Sequence, residues 1–250
     1  MRIPRIYTGP DALNPGTEVE LPGNAFRHTV QVLRLRPGAQ LVLFNGDGHD
    51  YPAQLTNVER RRASAQVQER TPNGSESPLA LHLVQAISKA EHMDITVQKA
   101  VELGVHAIQP VLSARGLRLP PERLARKLEH WRAVAVSACE QCGRSRIPEL
   151  HEPLKLDAWL QSSPPADGLR LLLDPGATHG LDALPSPQAA VELLIGPEGG
   201  FAPDEMEQAA RAGLIGLNLG PRVLRTETAG IVATAMLQAQ WGDLRHWQRG

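Results

Sequence analysis

Cysteine is scarce in this chain: only Cys139 and Cys142 occur among its 250 residues. Two cysteines are too few for a disulfide framework, and a lone C-x-x-C lacks the second ligand pair of a structural zinc site. His130 and His151 flank the pair in the sequence, so a metal or redox role stays open beside the alternative that both thiols merely share one helical face. We predict no metal site and leave the role of the two cysteines open.

Long apolar runs, aromatic residues and phosphate-binding motifs are lacking as well. No run approaches the eighteen or so apolar residues that a membrane span requires, and the first ten residues lack the apolar core of a signal peptide. We therefore expect a cytoplasmic protein without a membrane partner. Aromatic residues make up 4% of the chain, too few for a broad platform on which bases stack. Neither G-x-x-x-x-G-K followed by Ser or Thr nor G-x-G-x-x-G is present, which argues against a nucleotide-phosphate enzyme.

An excess of charge of one sign is also absent, because the formal net charge is −1. A neutral total argues against a protein that coats nucleic acid without specificity. The distribution is nevertheless uneven: residues 1–70 hold nine basic and seven acidic side chains, residues 110–150 eight and four, and residues 151–220 three and ten. We predict that the basic segments line one RNA-facing groove, with ordinary solvated surfaces as the alternative.

The pattern of short elements divides the chain into a small and a large domain. Pro, Gly and Ser replace the apolar pattern at 71–78, which predicts a linker and a boundary between residues 72 and 73. Before it, the residues at 45–48 predict a hairpin turn, and one helix is expected to begin at Asn24 and to carry His28 and Arg34. Apolar alternation predicts strands of the small domain at 41–44, 51–58 and 63–70.

Strands alternate with helices in the large domain. Strands are predicted at 79–86, 105–112, 169–173, 191–195 and 214–219. Helices are predicted at 94–103, 121–142 and 226–241, with one more that begins at 203–205 and ends at Gly213. Such alternation implies an α/β domain with a parallel sheet covered on both faces, and by itself it favours an ordinary doubly wound topology.

Two loops rich in glycine and proline follow the ends of predicted strands, in the segments LLIGPEGGF at 193–201 and LGPRVLRTETAG at 219–230. Glycine has no Cβ, so its backbone can adopt positive φ and lie directly against a ligand, and proline narrows the conformations of a loop before anything binds. Ligands of α/β sheets bind beyond the carboxyl ends of the strands. The two loops are therefore predicted to form one pocket, with an ordinary turn at each loop as the alternative.

The segments IGPEGG and LGPRVLRTETA resemble the cofactor-binding signature of the SPOUT methyltransferases, and most closely that of the RsmE family. A weaker resemblance extends over nearly the whole chain, through 27–38, 98–105 and 140–149. The family methylates N3 of a specific uridine in 16S ribosomal RNA. The resemblance therefore implies S-adenosyl-L-methionine as cofactor and ribosomal RNA or the small ribosomal subunit as partner. The family pattern has small residues where Cys139 and Cys142 stand, so no role carries over to them.

The resemblance also implies a fold. It implies a PUA-like β-barrel that binds RNA at 1–72 and a SPOUT-type α/β methyltransferase domain at 73–250, with a trefoil knot at the C-terminal end. SPOUT enzymes form homodimers largely through this knot, and the last helix offers an apolar face for the contact; packing within its own subunit is the alternative. This face comprises Ile231, Val232, Ala235, Met236 and Leu237.

The implied reaction decides which chemistry the site must supply. Uridine N3 carries a proton at neutral pH, so the site needs a proton acceptor and a cation that faces the charge developing on N3 and the neighbouring carbonyls. Arg225 is the candidate cation, and a structural ion pair with Glu198 or Glu227 is its alternative. Glu198 and Glu227 are the candidate catalytic acceptors, but loss of the proton to water would also serve, so the general base stays open.

Binding residues follow from the same resemblance, although Thr226 and Thr228 could instead only cap the last helix. The predicted cofactor-binding residues are Leu172, Leu173, Ile195, Gly196, Gly199, Gly200, Leu219, Gly220, Leu224, Thr226 and Thr228. The predicted RNA-binding residues are Arg5, His28, Arg34, Arg144 and Arg146. Other functions stay open: a different SPOUT RNA methyltransferase, a nucleotide-phosphate-binding enzyme, or a noncatalytic RNA-binding protein. Which uridine is modified, and whether in free RNA or an assembled subunit, also stays open.

Overall fold

The chain folds into two units, and the computed structural model describes residues 3–162 and 167–244 of it. The first unit contains the described residues up to Glu76 together with Val136–Ile147, which we call the return segment. The second unit contains Ser77–Ala135 and the described residues from Pro148 onward. The pattern of the sequence predicts a single boundary, between residues 72 and 73; the return segment is a finding of the structure.

The first unit is built on a mixed sheet. Its strands are β1 Arg5–Tyr7, β2 Glu18–Glu20, β3 Gln40–Phe44, β4 His49–Val58, β5 Ala63–Val67 and β6 Thr71–Pro72. They follow the order β1-β3-β4-β5-β2, with β6 paired to β4; β1 is parallel to β3, and the other pairs are antiparallel. The predicted turn at 45–48 joins β3 to β4. Alternate positions of β3, β4 and β5 are buried in one core, because successive side chains of a strand face opposite ways.

The helix predicted to begin at Asn24 differs from expectation at both ends. It begins one residue earlier, as α1 Gly23–Phe26, and continues as a π-helix over Arg27–Val32. The residue after this π-helix donates its backbone N–H to the His28 carbonyl oxygen at 2.9 Å, five residues back. Arg34 lies beyond the helix with a left-handed φ of 54°. The prediction that the helix carries Arg34 is therefore wrong, because the wider π turn ends before that residue.

Charged side chains fix the return segment to the rest of the first unit. Arg144 is buried, and its guanidinium pairs with Glu76 at 2.7 Å. Asp50 accepts two hydrogen bonds of 2.8 Å from the Arg5 guanidinium and a third from the Ser145 hydroxyl. The return segment therefore supplies one partner of the Arg144–Glu76 ion pair and one of the hydrogen bonds to Asp50.

The predicted linker at 71–78 contains the division between the two units, which falls after Glu76, but its first residues have fixed partners in the first unit. Its first two residues form β6, which pairs with β4. The Asn73 side-chain amide donates to Asp50 Oδ1 and to the Gly143 carbonyl oxygen, each at 2.9 Å. Composition alone predicted a linker here. The partner of Asn73, Gly143, lies 70 residues further along the chain and cannot be inferred from the local pattern.

The two cysteines lie on the return segment. Cys139 is buried, and its Sγ donates to the Arg146 carbonyl oxygen at 3.4 Å. Burial raises the pKa of the Cys139 thiol to about 12, so the thiol stays protonated and unreactive at neutral pH. Within residues 3–162 and 167–244, no group of three or more His, Cys, Asp or Glu side chains is arranged to hold a metal ion. Cys139 therefore acts as a small core residue.

The second unit is an α/β structure around a parallel sheet. Its strands are β7 Leu81–Ala86, β8 Ala107–Leu112, β9 Glu149–Leu150, β10 Leu154–Lys155, β11 Leu169–Leu173, β12 Val191–Ile195 and β13 Ile215–Leu217. The helices that follow α1 are α2 Ala90–Glu102, α3 Pro121–Cys142, α4 Leu156–Leu160, α5 Pro203–Arg211 and α6 Thr226–Trp241, with a 3-10 turn at Leu181–Ala183. The strand order is β10-β8-β7-β12-β11-β13, with β9 beside β8. The last turns of α3 belong to the return segment.

The most regular predicted elements of the second unit are confirmed. β11, β12, α3 and α6 have their predicted bounds, because continuous apolar runs or long periodic patterns mark them. α2 begins at Ala90 and not at residue 94, and the short elements β9, β10 and α4 were not predicted. No helix within the described ranges is long and apolar enough to cross a membrane.

Asp50→Asn should lower the free energy of unfolding by about 3 kcal/mol near neutral pH, because it leaves the Arg5 charge without its partner. Burial opposes ionisation of Asp50, but hydrogen bonds from Arg5, Ser145 and Asn73 outweigh it and hold the pKa of Asp50 below its ordinary value. With a lowered folded-state pKa, this stability is present above the unfolded-state pKa and is lost as pH falls through the folded-state pKa. Denaturant unfolding at decreasing pH should therefore show the difference from wild type shrinking.

The matched control is Glu20→Gln, because Glu20 forms only an exposed ion pair of 3.9 Å with Arg62. Its unfolding free energy should stay within about 0.5 kcal/mol of wild type at every pH. A loss for Asp50→Asn that stays constant from neutral pH to about pH 2 would contradict the assignment of the lowered pKa.

Candidate active site

The two glycine-rich loops line one cavity of about 680 Å³ in the second unit. The first loop, 196–201, leaves the end of β12, and the second loop, 219–225, leads to α6. The last residues of β11 and β13, Leu173 and Leu217, also line the cavity. Three neighbouring parallel strands therefore open into it at their carboxyl ends, where α/β sheets bind ligands.

The cavity has an apolar part and a charged part. Its apolar side chains are Leu173, Pro175, Ile195, Pro197, Phe201, Met206, Leu217, Leu219, Val223, Leu224 and Ala229. Its polar side chains are Lys89, His92, Asp174, Glu198, Arg222, Arg225, Thr226 and Glu227. The predicted cofactor-binding residues that line it are Leu173, Ile195, Gly196, Gly200, Leu219, Gly220, Leu224 and Thr226.

Three predicted cofactor-binding residues do not line the cavity. Leu172 packs into an apolar cluster of the core, because it alternates with Leu173 on β11. Gly199 faces Arg115: a Cβ on this glycine would lie 3.4 Å from the Cβ of Arg115. Thr228 is exposed on α6. Neighbouring residues of one motif therefore have different surroundings, and the motif alone does not show which of them line the cavity.

A chain of hydrogen bonds joins the start of α6 to the first loop. The Thr226 hydroxyl donates to the Gly196 carbonyl oxygen at 2.6 Å and accepts from the Gln85 side-chain amide at 3.0 Å. Gln85 is fully buried on β7, and its amide also donates to the Ala86 carbonyl oxygen at 3.0 Å. Thr226 does not cap α6, since the N-cap residue is Arg225 and no side chain caps it. Sequence analysis missed Gln85, because its partner lies 141 residues away.

Two glycines of the loops have left-handed backbones. Gly200 has a φ of 64° and Gly220 a φ of 106°, values that residues with a side chain rarely adopt. The Gly220 N–H donates to the Asn218 side-chain oxygen at 2.6 Å, which holds the second loop in this turn. No described atom lies within 4 Å of the place where a Cβ of Gly220 would stand. The backbone conformation, and not crowding, therefore requires glycine there.

Two arginine side chains that border the cavity have no hydrogen-bond or ion-pair partner among the described residues. Arg222 and Arg225 are exposed, and in the described part of the chain neither guanidinium forms an ion pair or a hydrogen bond. The alternative that Arg225 pairs with Glu198 or Glu227 is thus not found among these residues. A guanidinium without a protein partner keeps all its donors for a ligand.

Both predicted proton acceptors contact His92, which sequence analysis missed. The His92 Nδ1 lies 3.0 Å from Glu198 Oε1 and 3.6 Å from Glu227 Oε2. Burial opposes ionisation of Glu198, but hydrogen bonds from its own backbone, from the Lys89 N–H and from His92 outweigh it and lower the pKa of Glu198. Glu198 is therefore ionised at neutral pH and accepts a proton less readily than an ordinary carboxylate.

The predicted RNA-binding residues fall into two groups within the first unit. The side chains of Arg5 and Arg144 have little exposure, 9% and 3%, and their charges are compensated by the ion pairs described above. Exposed or partly exposed side chains remain at His28, Arg34 and Arg146. The first group supports the structure of the unit. The second group lies at the surface, although His28 Nδ1 also lies 3.4 Å from Glu140 Oε2.

Thr226→Val should lower the free energy of unfolding by about 1–3 kcal/mol, because it leaves the Gly196 carbonyl oxygen without its donor and the buried Gln85 amide without one of its acceptors. Thr228→Val is the matched control on the same helix, and its unfolding free energy should stay within about 0.5 kcal/mol of wild type. Urea unfolding followed by circular dichroism measures both. Equal losses in the two variants would contradict a specific role for the Thr226 hydroxyl.

Comparisons with known proteins agree with the position of the cavity. An RNA methyltransferase PUA domain matches residues 21–68, and an RNA methyltransferase domain matches residues 75–238. The ribosomal RNA small subunit methyltransferase E of Buchnera aphidicola is 33% identical to this chain, over 98% of this chain and 96% of its own length. The match to the RNA methyltransferase domain contains both glycine-rich loops, and the match to the PUA domain lies in the first unit.

Two solved structures are similar over nearly the full length. A methyltransferase from Legionella pneumophila in complex with the cofactor SAM is 41% identical, with a TM-score of 0.94 over 98% of this chain and 100% of that chain. A ribosomal RNA small subunit methyltransferase E from Neisseria gonorrhoeae bound to S-adenosyl methionine is 40% identical, with a TM-score of 0.91 over 97% and 100%. The chain therefore belongs to the RNA methyltransferase family that includes the ribosomal RNA small subunit methyltransferases E.

Proposed function

We propose that this chain methylates N3 of a uridine in small-subunit ribosomal RNA, with S-adenosylmethionine as the methyl donor. The observation that carries the proposal is the cavity between the two glycine-rich loops, in a chain similar over nearly its full length to two proteins solved with this cofactor. The class of RNA follows from the names of the relatives, and the N3 position follows from the family resemblance.

The residues of the cavity suit this cofactor. Leu219 and Leu224 offer apolar surfaces to the faces of an adenine ring. Gly220 leaves backbone groups of the second loop open to contact, because no side chain covers them. Glu198 and Glu227 bring negative charge to the cavity, which favours a ligand with positively charged sulfonium and ammonium groups.

The protein's main task is to activate the nucleophile. When bound, S-adenosylmethionine supplies a methyl group that its positive sulfur already makes electrophilic. Arg225 has no partner among the described residues, and its guanidinium faces the negative charge that develops on uridine N3 and the adjoining carbonyl oxygens. Two parallel hydrogen bonds from this planar group stabilise the deprotonated base and so lower the cost of losing the N3 proton.

We assign the N3 proton to water and not to a carboxylate. Glu198 has a lowered pKa, and Glu227 lies against His92 at 3.6 Å. Both carboxylates already contact His92 in the wall of the cavity. Arg225 instead stabilises the base that has lost its N3 proton, so the proton can pass to solvent. The catalytic role that we retain is that of Arg225.

We assign RNA binding to the first unit. The match to an RNA methyltransferase PUA domain supports this role and a PUA-like barrel for the first unit. His28, Arg34 and Arg146 are the proposed contacts, because their side chains are exposed or partly exposed. Arg5 and Arg144 are not retained, since buried ion pairs use their charge.

We further propose a trefoil knot and a homodimer, in the cytoplasm. After the edge strand β13, the chain returns through the second loop to the middle of the sheet, where α6 packs against α2, β7 and β12. This return from the edge strand to the middle of the sheet supports a knot. On α6, the side chains of Ile231, Val232, Ala235 and Met236 stay only partly buried, which supports a contact with a second copy.

Gly220→Val should weaken binding of S-adenosylmethionine by roughly tenfold or more, because the new side chain strains the second loop and intrudes on the ligand. Gly213→Val is the matched control: Gly213 also has a positive φ, 79°, and open space at its Cβ position, but it does not line the cavity. Both variants should lose similar stability. Isothermal titration calorimetry that finds equal affinity losses would remove Gly220 from the cofactor site.

Arg225→Ala should slow single-turnover methyl transfer by about 10²–10³-fold, while cofactor affinity changes much less, because the donor acts on charge that develops during the reaction. Arg225→Lys should also be slow, since a point charge does not reproduce the two-pronged geometry. The control Arg211→Ala removes an exposed arginine on α5 that pairs with Glu207. If RNA affinity collapses while the rate at saturating RNA stays intact, Arg225 binds RNA and does not act in the chemistry.

A further inference from the structure

Three segments that line the cavity meet at one histidine. His92 lies in the first turn of α2, Glu198 in the first loop and Glu227 in the first turn of α6. The His92 Nδ1 is 3.0 Å from Glu198 Oε1 and 3.6 Å from Glu227 Oε2. The His92 side chain is 17% exposed, so solvent screens these contacts only in part.

The charge of this cluster requires a cation. The Glu227 side chain is 12% exposed, and its Oε2 is buried with no hydrogen-bond donor among the described residues. A buried carboxylate is costly unless a cation compensates it, and two carboxylates beside one nitrogen repel each other. Among the described residues, His92 is the basic side chain within 4 Å of the Glu227 carboxylate. Arg225, the other candidate, forms no ion pair with this carboxylate.

The remaining contacts of the cluster do not replace His92. The Lys89 backbone N–H donates to Glu198 Oε1 at 3.1 Å, but it carries no charge. Glu91 lies 3.9 Å from the other ring nitrogen, and its side chain is 82% exposed, so this contact contributes little. The imidazole thus adds a second connection between the first loop and the start of α6, beside the hydrogen bond from Thr226 to Gly196.

We propose that His92, through its contacts with both Glu198 and Glu227, is a positioning residue that holds the first loop and α6 around the cofactor. The inference rests on the proposed use of this cavity for S-adenosylmethionine. In this role His92 touches neither the methyl group nor the uridine, and it acts through the two carboxylates. A direct role as acceptor of the N3 proton is the competing outcome of the experiment.

The experiment measures cofactor affinity by isothermal titration calorimetry and steady-state methyl transfer to ribosomal RNA in matched variants. His92→Gln removes the basic side chain, and His92→Lys places a permanent cation at the same position. His130→Gln is the control, because His130 also pairs with a carboxylate of α2, Asp94 at 2.8 Å, but both groups lie outside the cavity. Thermal unfolding of every variant separates loss of fold from loss of binding.

We expect His92→Gln to weaken S-adenosylmethionine binding about tenfold, and His92→Lys to recover most of that loss. KM for the cofactor should rise in the same proportion, while kcat at saturating cofactor stays within about threefold. His130→Gln should bind like wild type. Recovery by lysine identifies the charge, because lysine cannot reproduce the imidazole as a proton acceptor.

Glu227→Gln completes a double-mutant cycle. Once this buried charge is removed, His92→Gln should cost much less, so the double variant should bind more tightly than the sum of the single losses predicts. Additive losses, or tighter cofactor binding by His92→Gln, would overturn the proposal. So would a fall in kcat with unchanged KM that lysine does not recover, since that result makes His92 a proton acceptor.

The wild-type titration keeps the two proposals apart. If wild-type protein does not bind S-adenosylmethionine, the proposed function fails. If wild type binds and His92→Gln behaves like His130→Gln, only the role of His92 fails.

Discussion

The hydrogen bond from the Thr226 hydroxyl to the Gly196 carbonyl oxygen joins the two loops, and the shape of the cavity depends on it. The same hydroxyl accepts from Gln85, so one oxygen atom connects the central strand β7, the first loop and the start of α6. Gln85 and Thr226 are buried, where an unmade hydrogen bond is expensive. The hydrogen bonds therefore tie the first loop and the start of α6 to the sheet from which the cavity opens.

The charges around the cavity are sorted by sign. Glu198 and Glu227 share His92 in the wall, whereas Arg222 and Arg225 border the cavity without partners. A net charge of −1 hides this arrangement. In the proposed reaction, the acidic wall suits a cationic methyl donor and the arginines suit an anionic RNA, so the two substrates meet opposite fields in one site.

The sequence predicted strands, helices and loops whose residue types form a local pattern. It missed residues whose role depends on partners far along the chain. The apolar runs at 169–173 and 191–195 marked β11 and β12, and their loops marked the cavity, because burial and glycine leave a local pattern. His92 carried no such mark, since Glu198 and Glu227 lie far along the chain. The loop motif also could not show that Gly199 faces Arg115, because side-chain direction depends on the folded neighbours.

The return segment makes the first unit late to be completed during synthesis. Asp50 and Glu76 leave the ribosome well before Ser145 and Arg144, with which they bond in the folded unit. N-terminal domains generally fold first as a chain emerges. Here the hydrogen bonds and ion pairs to the return segment can form only once the chain has been made as far as residue 147, and by then the first part of the second unit has been synthesised. The apolar core of the first unit lies wholly within residues 6–67, so this core precedes the polar contacts that complete the unit.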